Sequence, residues 1–284
     1  MEKDLEISAD QGWQRLMAIL KEMESVIVGF SAGVDSTFLL YAAVQALGGE
    51  KVLAVTAKSH SFPAHQLEAA IQYAQRIGAH HLSTDSEELE VPGFRDNPTN
   101  RCFMCKTELY TKLSEIARIK GYRTVIDGSN ADDVNDFRPG LQATKKLGIR
   151  SPLMEAALTK DEIRLLSKKA GLPTWNKPAF PCLSSRFPYG VKITDEALER
   201  VDAGERFLEQ IGLEGSIRVR HHKEIARLEV DPRNFPLLTD PEIYPKVVEK
   251  FKQLGYKYVT LDLQGYRTGS LNEMILNLKA ADVS

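Results

Sequence analysis

Six residues that follow a short apolar run constrain the fold of this chain most strongly. Val26–Phe30 is a β-prone run, residues 31–36 read SAGVDS, and a helical pattern of apolar residues begins directly afterwards. A strand, a Gly/Ser turn and a helix in this order predict a backbone nest whose free N–H groups point at an anion. The dipole of the helix favours negative charge at the same place. The segment therefore predicts a phosphate-binding turn within a βα unit.

The turn differs from two common phosphate-binding motifs. No Lys follows its glycine, so it is not a GxxxxGK[ST] loop, and it lacks the spacing of GxGxxG. Without a ligand, the same residues would form an N-capped turn of Ser, Gly and Asp. Ala32 would be strained by its methyl group if this position needed a positive φ. We expect the residue to be tolerated there.

The composition is that of an ordinary soluble protein. The chain has 284 residues, of which 43% are hydrophobic and 27% charged. A net charge of -2 and a pI near 6.3 argue against a broad nucleic-acid surface. No apolar run approaches the roughly 20 residues that span a bilayer, and the acidic start MEKDLEISAD does not resemble a signal peptide. We therefore expect a cytoplasmic protein without a membrane segment.

Strand-like runs alternate with helical patterns over the first half of the chain, which predicts an α/β fold with a parallel sheet. The runs are Val26–Phe30, Val52–Thr56, His80–Thr84 and Thr124–Asp127, and the helical patterns are Gln11–Glu22, Ser36–Leu47, Pro63–Ile77 and Thr107–Ile119. A capping box of Thr159 and Glu162 predicts a further helix that runs to Ala170.

A different pattern follows the proline-rich segment Leu172–Gly190, which reads as a structured loop or linker. Helices are predicted at Thr194–Ile211 and Pro241–Leu254, and strands at Ser216–Arg220, Glu224–Val230 and Tyr258–Leu263. The sequence thus predicts two domains, a parallel-sheet domain at 1–190 and a smaller α+β domain at 191–284.

A second polar motif, DGSNADD at Asp127–Asp133, stands at the end of the fourth strand-like run. Ligands bind beyond the carboxyl ends of the strands in an open parallel sheet. The first βα turn and this motif would then share one crevice, where carboxylates could hold the Mg²⁺ that accompanies ATP. Alone, DGSNADD would be read as an Asx-rich turn. Together with SAGVDS, it favours a nucleotide or metal site.

The three cysteines form the third signal. Cys102 and Cys105 lie in a CFMC motif, and Cys182 lies in PCLSSR. A CxxC motif brings two thiolates within reach of one metal, and a helix N-terminus lowers the pKa of a thiol. Three thiolates suit a [4Fe–4S] cluster with one open iron. A structural zinc site, or a redox CxxC beside a buried third cysteine, are the alternatives.

The order of these motifs resembles one enzyme family. SAGVDS is similar to the SGGxDS signature of the PP-loop ATP pyrophosphatases, in which the position of Ala32 is usually Gly. The succession SxGxDS, CxxCK, DGSNADD, SPLMEAALTKDEIR and KPAFPCLSSR, with RVRHH at Arg218–His222, resembles the LarE family of sulfur-inserting enzymes. The similarity extends over nearly the whole chain.

This resemblance implies a fold and an activity. The fold would be an adenine-nucleotide α hydrolase-like domain plus a smaller α+β domain, in a homo-oligomer. Members adenylylate a carboxylate of a pyridinium dicarboxylate mononucleotide with ATP, release pyrophosphate, and replace AMP with sulfur. One branch has a single cysteine matching Cys182 and sacrifices its sulfur. The three cysteines of this chain match the branch in which a [4Fe–4S] cluster delivers the sulfide.

Residue roles follow from the same resemblance. The residues expected at the pyrophosphate end of ATP are Ser31, Gly33, Asp35 and Ser36. Those expected at the nucleotide or Mg²⁺ are Asp127, Asn130 and Asp132. Cys102, Cys105 and Cys182 would ligate the cluster, with Cys182, Lys106 and Asp35 taking part in catalysis. Arg186, Arg218 and Arg220 would bind the substrate phosphate and carboxylates.

Other interpretations stay open at this stage. Arg218 and Arg220 share one face of a strand and could simply be solvated, and His221 and His222 are expected at the surface. A PP-loop tRNA thiolase, a non-catalytic nucleotide-binding module with structural zinc, and an amidating synthetase are the alternative functions. The acidic pI argues against the thiolase, and the amidating enzymes leave the cysteines unexplained. The expected partner is a small molecule and not a nucleic acid.

Overall fold

The computed structural model describes residues 2–135, 139–178, 181–267 and 269–272. Contacts between residues divide the chain into two compact units. The first contains Met1–Phe94 and Thr99–Phe180, and the second contains Arg95–Pro98 and Pro181–Ser284. Backbone hydrogen bonds from Gly190 N to Asn97 O (2.9 Å) and from Ile193 N to Arg95 O (2.8 Å) tie two stretches of the second unit together. This division by contacts falls between residues 180 and 181, and the predicted domain border at 190/191 stays a prediction.

The first unit alternates helices and strands. In chain order these are α1 (Glu2–Lys21), β1 (Val26–Gly29), α2 (Val34–Leu47), β2 (Val52–Lys58), α3 (Ala64–Ile77), β3 (His80–Asp85), α4 (Arg101–Lys120), β4 (Thr124–Ile126), α5 (Pro139–Lys146), α6 (Pro152–Glu155) and α7 (Lys160–Lys169).

The strands of this unit form a parallel sheet in the order β3-β2-β1-β4, which confirms the predicted fold class. The chain adds β2 and β3 on one side of β1 and then crosses to the other side to form β4. Such a reversal of strand order opens a crevice at the carboxyl ends of the two strands that flank it. The turn after β1 and the motif after β4 both start at that edge.

Alternating side chains of β1 supply two apolar cores, one on each face of the sheet. Val26 and Val28 are fully buried in a cluster with residues of α1, α2 and α7. Ile27, also fully buried, packs with Leu113 of α4 on the other face. A strand covered on both faces reads as a continuous apolar run, which is why Val26–Phe30 was recognisable from the sequence.

Two helices begin more than one turn earlier than their patterns predict. α1 starts at Glu2 instead of Gln11, and its added turns bury Ala9 completely. α4 starts at Arg101 instead of Thr107, so the CFMC motif lies inside the helix. At α7 the capping box is confirmed, because Thr159 and Glu162 exchange side-chain and backbone hydrogen bonds.

The second unit is a small α+β structure. Its helices and strands are α8 (Asp195–Gln210), β5 (Ile217–His222), β6 (Ile225–Val230), α9 (Phe235–Thr239), α10 (Tyr244–Gln253) and β7 (Tyr258–Leu261). β6 is the central strand, antiparallel to β5 and parallel to β7. Among the residues described, no helix of either unit has the length and apolar character needed to cross a bilayer.

Candidate functional site

The turn after β1 and the motif after β4 are in contact. The Asn130 side-chain amide donates to Asp35 Oδ1 over 3.3 Å. Gly128 approaches the first turn of α2 so closely that a Cβ on it would lie 3.1 Å from Ser36 N. A larger residue would therefore push the two loops apart. The two loops therefore meet at this edge of the sheet, and the crevice that they would share stays a prediction.

The SAGVDS turn exposes backbone donors at the start of α2. Gly33 caps the helix without a side-chain hydrogen bond, and its N–H donates to no residue in the described part of the chain. The hydroxyls of Ser31 and Ser36 lie 3.1 Å apart. Ala32 is fully buried and has φ 55°. A left-handed conformation costs a non-glycine residue about 1–2 kcal/mol, so the methyl group is tolerated but strained.

Asp35 faces a lysine that the sequence interpretation missed. Lys160, the first residue of α7, forms a short ion pair with Asp35 Oδ2, and its backbone N–H donates to Asp132 Oδ2 over 2.8 Å. A cation in the first turn of a helix is disfavoured by the helix dipole. That unfavourable placement was the signal in the sequence that Lys160 serves a purpose other than helix stability.

Asp127 is a buried acceptor with several donors. Its carboxylate accepts from Ser151 Oγ (2.6 Å) and Ser129 Oγ (2.8 Å), and Lys106 Nζ lies 3.5 Å from Oδ2. Burial, together with the charge and hydrogen bonding of Asp127, raises the pKa of Tyr110 well above its usual range. Asp127 is 2% exposed. This geometry makes it an anchor for Lys106, while contact with a nucleotide stays a prediction.

Lys106 extends along α5. A Cβ on Gly140 would lie 2.6 Å from Lys106 Cδ, so a larger residue there would force the lysine side chain to shift. The ammonium group reaches the residue that follows β4, and the Lys106 side chain remains about one-third exposed. Lys106 thus lies beside Asp127, and its catalytic role stays a prediction.

Two of the cysteines lie on the first turns of α4. Cys102 is exposed, and Cys105 donates to the buried carboxylate of Glu88, with 2.9 Å between Sγ and Oε2. Cys182, in the second unit, precedes a short 3₁₀ turn. No disulfide involves these three residues. Within the described ranges, no group of three His, Cys, Asp or Glu side chains is arranged to hold a metal ion.

Arg186 lies inside the second unit. Its side chain has no exposed surface, and Nε and Nη2 each donate to the carboxylate of Glu205 over 2.8 Å. Glu205 also accepts from the backbone N–H of Val219. These contacts give Arg186 a structural role, and its predicted role in binding substrate stays a prediction.

Arg218 and Arg220 are buried, so their interpretation as a solvated strand face is wrong. Arg220 pairs with Glu229 at 2.7 Å and donates to Ser185 O at 2.7 Å. Burial, reinforced by the charge of Arg186, lowers the pKa of Arg218 to about 10. Two partly desolvated guanidinium groups side by side are suited to an anion. Their role as substrate ligands stays a prediction.

His221 is also buried, contrary to the expectation of a surface residue. Its ring packs 4.9 Å from that of Phe187, and Nδ1 lies 3.1 Å from the Tyr256 hydroxyl. Burial lowers the pKa of His221 to about 4. It is therefore a neutral packing residue at physiological pH.

Comparison with known proteins identifies the family of this chain. A family model described as NAD synthase matches residues 15–94, which include the SAGVDS turn. An uncharacterized protein of Synechocystis is 42% identical over 92% of this chain and 97% of its own length. A pyridinium-3,5-bisthiocarboxylic acid mononucleotide synthase of Lactiplantibacillus plantarum is 36% identical over 94% of this chain and 95% of its own length. The chain belongs to the family of these synthases, the LarE family of PP-loop enzymes.

Proposed function

We propose that this protein inserts sulfur into pyridinium-3,5-dicarboxylic acid mononucleotide at the expense of ATP. The observation that carries this proposal is the match to the named synthase over 94% of the chain, combined with a phosphate-binding turn at the reversal of strand order. The substrate carboxylate is first converted to an acyl-adenylate with release of pyrophosphate. Sulfur then replaces AMP to give the thiocarboxylate.

The first step uses the crevice of the first unit. The free N–H groups at the start of α2 and the hydroxyls of Ser31 and Ser36 suit the pyrophosphate end of ATP. A substrate carboxylate oxygen attacks the α-phosphorus, the bond to the β-phosphate oxygen breaks, and pyrophosphate leaves with the electron pair. Lys106 and Lys160 are the cations that can neutralise the negative charge that develops there.

Mg²⁺ accompanies ATP in this proposal, and the donor set fits it. Mg²⁺ takes one or two carboxylates together with substrate phosphates. Asp35 keeps a quarter of its side chain exposed, and Asp132 is exposed beside it. Asp35, Asn130 and Asp132 would hold the ion, which would shield the phosphates from one another. Asp127 would not bind the ion directly but would position Lys106.

The second step needs a sulfur nucleophile at the carbonyl carbon of the acyl-adenylate. Three thiols, of Cys102, Cys105 and Cys182, match in kind the ligands of a [4Fe–4S] cluster with one open iron. Such a cluster would supply an iron-bound sulfide that remains anionic at neutral pH. The thiols themselves would hold it, and the departing AMP would carry away the electron pair of the broken acyl–oxygen bond.

The second unit would recognise the substrate. Arg218 and Arg220 are the groups suited to its phosphate and carboxylates, because partly desolvated guanidinium groups bind such anions through paired hydrogen bonds. We further propose a cytoplasmic homo-oligomer that acts on this small molecule and not on nucleic acid. The net charge of -2 supports the last point.

Turnover of anaerobically purified protein tests the proposal. With ATP, sulfide and the dicarboxylate mononucleotide, we expect pyrophosphate, AMP and thiocarboxylate, together with bound iron and sulfide. Asp35→Ala should abolish pyrophosphate release, whereas Glu115→Ala, an exposed residue of α4, should not. Suppose instead that iron-free protein forms thiocarboxylate once per chain and that Cys182 becomes lighter by one H₂S. The sulfur then comes from Cys182 itself, and the cluster hypothesis is wrong. Release that persists in Asp35→Ala would remove the turn from the reaction.

A further inference from the structure

Lys177 connects the phosphate-binding turn to α3. Its Nζ donates to the carbonyl oxygen of Ala32 over 3.2 Å and to Gln66 Oε1 over 2.7 Å, and it lies 5.8 Å from the centre of the Tyr73 ring. Burial lowers the pKa of Lys177. Within the described ranges no carboxylate pairs with this ammonium group, so the two neutral oxygens are its hydrogen-bond acceptors.

The carbonyl that Lys177 binds belongs to the strained residue of the turn. Ala32 has φ 55° and is fully buried. A peptide group is planar and trans, so the Ala32 carbonyl and the Gly33 N–H point in opposite directions. Fixing the carbonyl toward Lys177 therefore fixes the Gly33 N–H away from it. A flip of this peptide would replace a donor by a carbonyl oxygen in a turn that is built to receive an anion.

We propose that Lys177 is a positioning residue for ATP, which holds the Ala32–Gly33 peptide so that the Gly33 N–H remains available to the pyrophosphate. This role rests on the proposed function of the turn as the ATP site. It also explains how an alanine is accommodated where glycine is usual, because the charge-assisted hydrogen bond offsets the left-handed strain. With glycine in place of Ala32 the strain disappears, and the turn should depend less on Lys177.

A double-mutant comparison tests this dependence. Lys177→Met keeps the aliphatic stem and removes the donor. Loss of a hydrogen bond to a charged group weakens binding by about 10- to 100-fold. We therefore expect the KM for ATP to rise by this factor, while the KM for the mononucleotide stays unchanged. In an Ala32→Gly background, the same substitution should raise the KM for ATP by only about threefold. Lys168→Met is the matched control, because this lysine is exposed and lies over the Trp175 ring.

Two results would overturn the inference. An unchanged KM for ATP in Lys177→Met would show that the turn does not need the contact. If Lys177→Met raises the KM for ATP by the same factor in the wild-type and Ala32→Gly backgrounds, Lys177 acts only through its charge. Thermal unfolding is measured in parallel, and Lys177→Gln, which retains a neutral donor, is compared if the methionine variant does not fold.

The proposed function is separated from the inference by a binding measurement. Calorimetry with a non-hydrolysable ATP analogue reports on the turn even if the wild-type protein forms no acyl-adenylate. Weaker binding by Lys177→Met, with a smaller effect in the Ala32→Gly background, supports the inference in either case. Equal affinity of wild type and Lys177→Met refutes it.

Discussion

Removal of Glu205 should destabilise the second unit more than any comparable surface change. Glu205 is 3% exposed and is the partner of the fully buried Arg186. Removing one partner of a buried ion pair costs about 3–5 kcal/mol, because the other charge is left buried and unpaired. The Val219 N–H, which donates to Glu205 Oε1, also loses its acceptor. We therefore expect Glu205→Ala to lower the free energy of unfolding by about 4 kcal/mol, against a typical total of about 5–15 kcal/mol.

Urea unfolding followed by far-ultraviolet circular dichroism measures this loss. With a denaturant slope of about 2 kcal/mol per molar urea, the transition should move to lower urea by about 2 M. Glu199→Ala, an exposed position on the same helix, is the matched control and should move little. Trp13 and Trp175 both belong to the first unit, so their fluorescence reports the unfolding of that unit separately.

A double variant decides whether the buried charge is the cause. Arg186→Met with Glu205→Leu replaces both ions by apolar side chains, and such replacements are often neutral or stabilising. The double variant should therefore be more stable than Glu205→Ala alone. Two results would refute this reasoning. Glu205→Ala could lose no more unfolding free energy than Glu199→Ala, or the double variant could be as unstable as Glu205→Ala alone.

Two further predictions concern the first and the second unit in turn. Gly140→Ala should lower the rate of pyrophosphate release with little loss of stability, because its Cβ would displace Lys106; Gln142→Ala on the exposed face of α5 is the control, and equal rates would contradict the expectation. His221 has a pKa of about 4 in the folded state, against about 6.5 when unfolded, so the unfolded state binds more protons between these values. The contribution of neutral His221 to the free energy of unfolding is fully present above pH 6.5. It is lost as the pH falls to 4, and the loss is at most about 3 kcal/mol. His221→Gln should flatten this part of the stability profile, as urea unfolding at several pH values will show, and a profile as steep as that of the wild type would contradict the expectation.

Local patterns predicted much of the first unit. The apolar run Val26–Phe30 and the capping box at Thr159 each identify an element from neighbouring residues, and both are confirmed. The contact between SAGVDS and DGSNADD was also predictable, because parallel strands bring their carboxyl ends to one edge of the sheet. These inferences need only the chain order of strands and helices. They do not require knowledge of which side chains meet.

The charged residues of the second unit could not be assigned in this way. Arg218 and Arg220 alternate along β5, a pattern that fits a solvated face as well as a binding face. Their burial depends on partners such as Glu229 on β6, which pairs directly with Arg218 in the sheet register. Arg186 likewise depends on Glu205, which lies on α8. A buried charge is specified by its tertiary partner, and no local pattern identifies that partner.

The lysines near the phosphate-binding turn also depend on tertiary partners that the local sequence does not identify, and these partners bear on ATP binding. Lys106 follows the CxxC motif and was recognisable, whereas Lys160 and Lys177 come from segments far along the chain. Asp127 lies beside Lys106 and Asp35 pairs with Lys160, so these two cations have carboxylate neighbours. Lys177 is instead bound by two neutral oxygens. Since burying a cation without a counter-charge is costly, the polyanionic end of ATP would gain from the field of Lys177 as well as from the backbone donors that it positions.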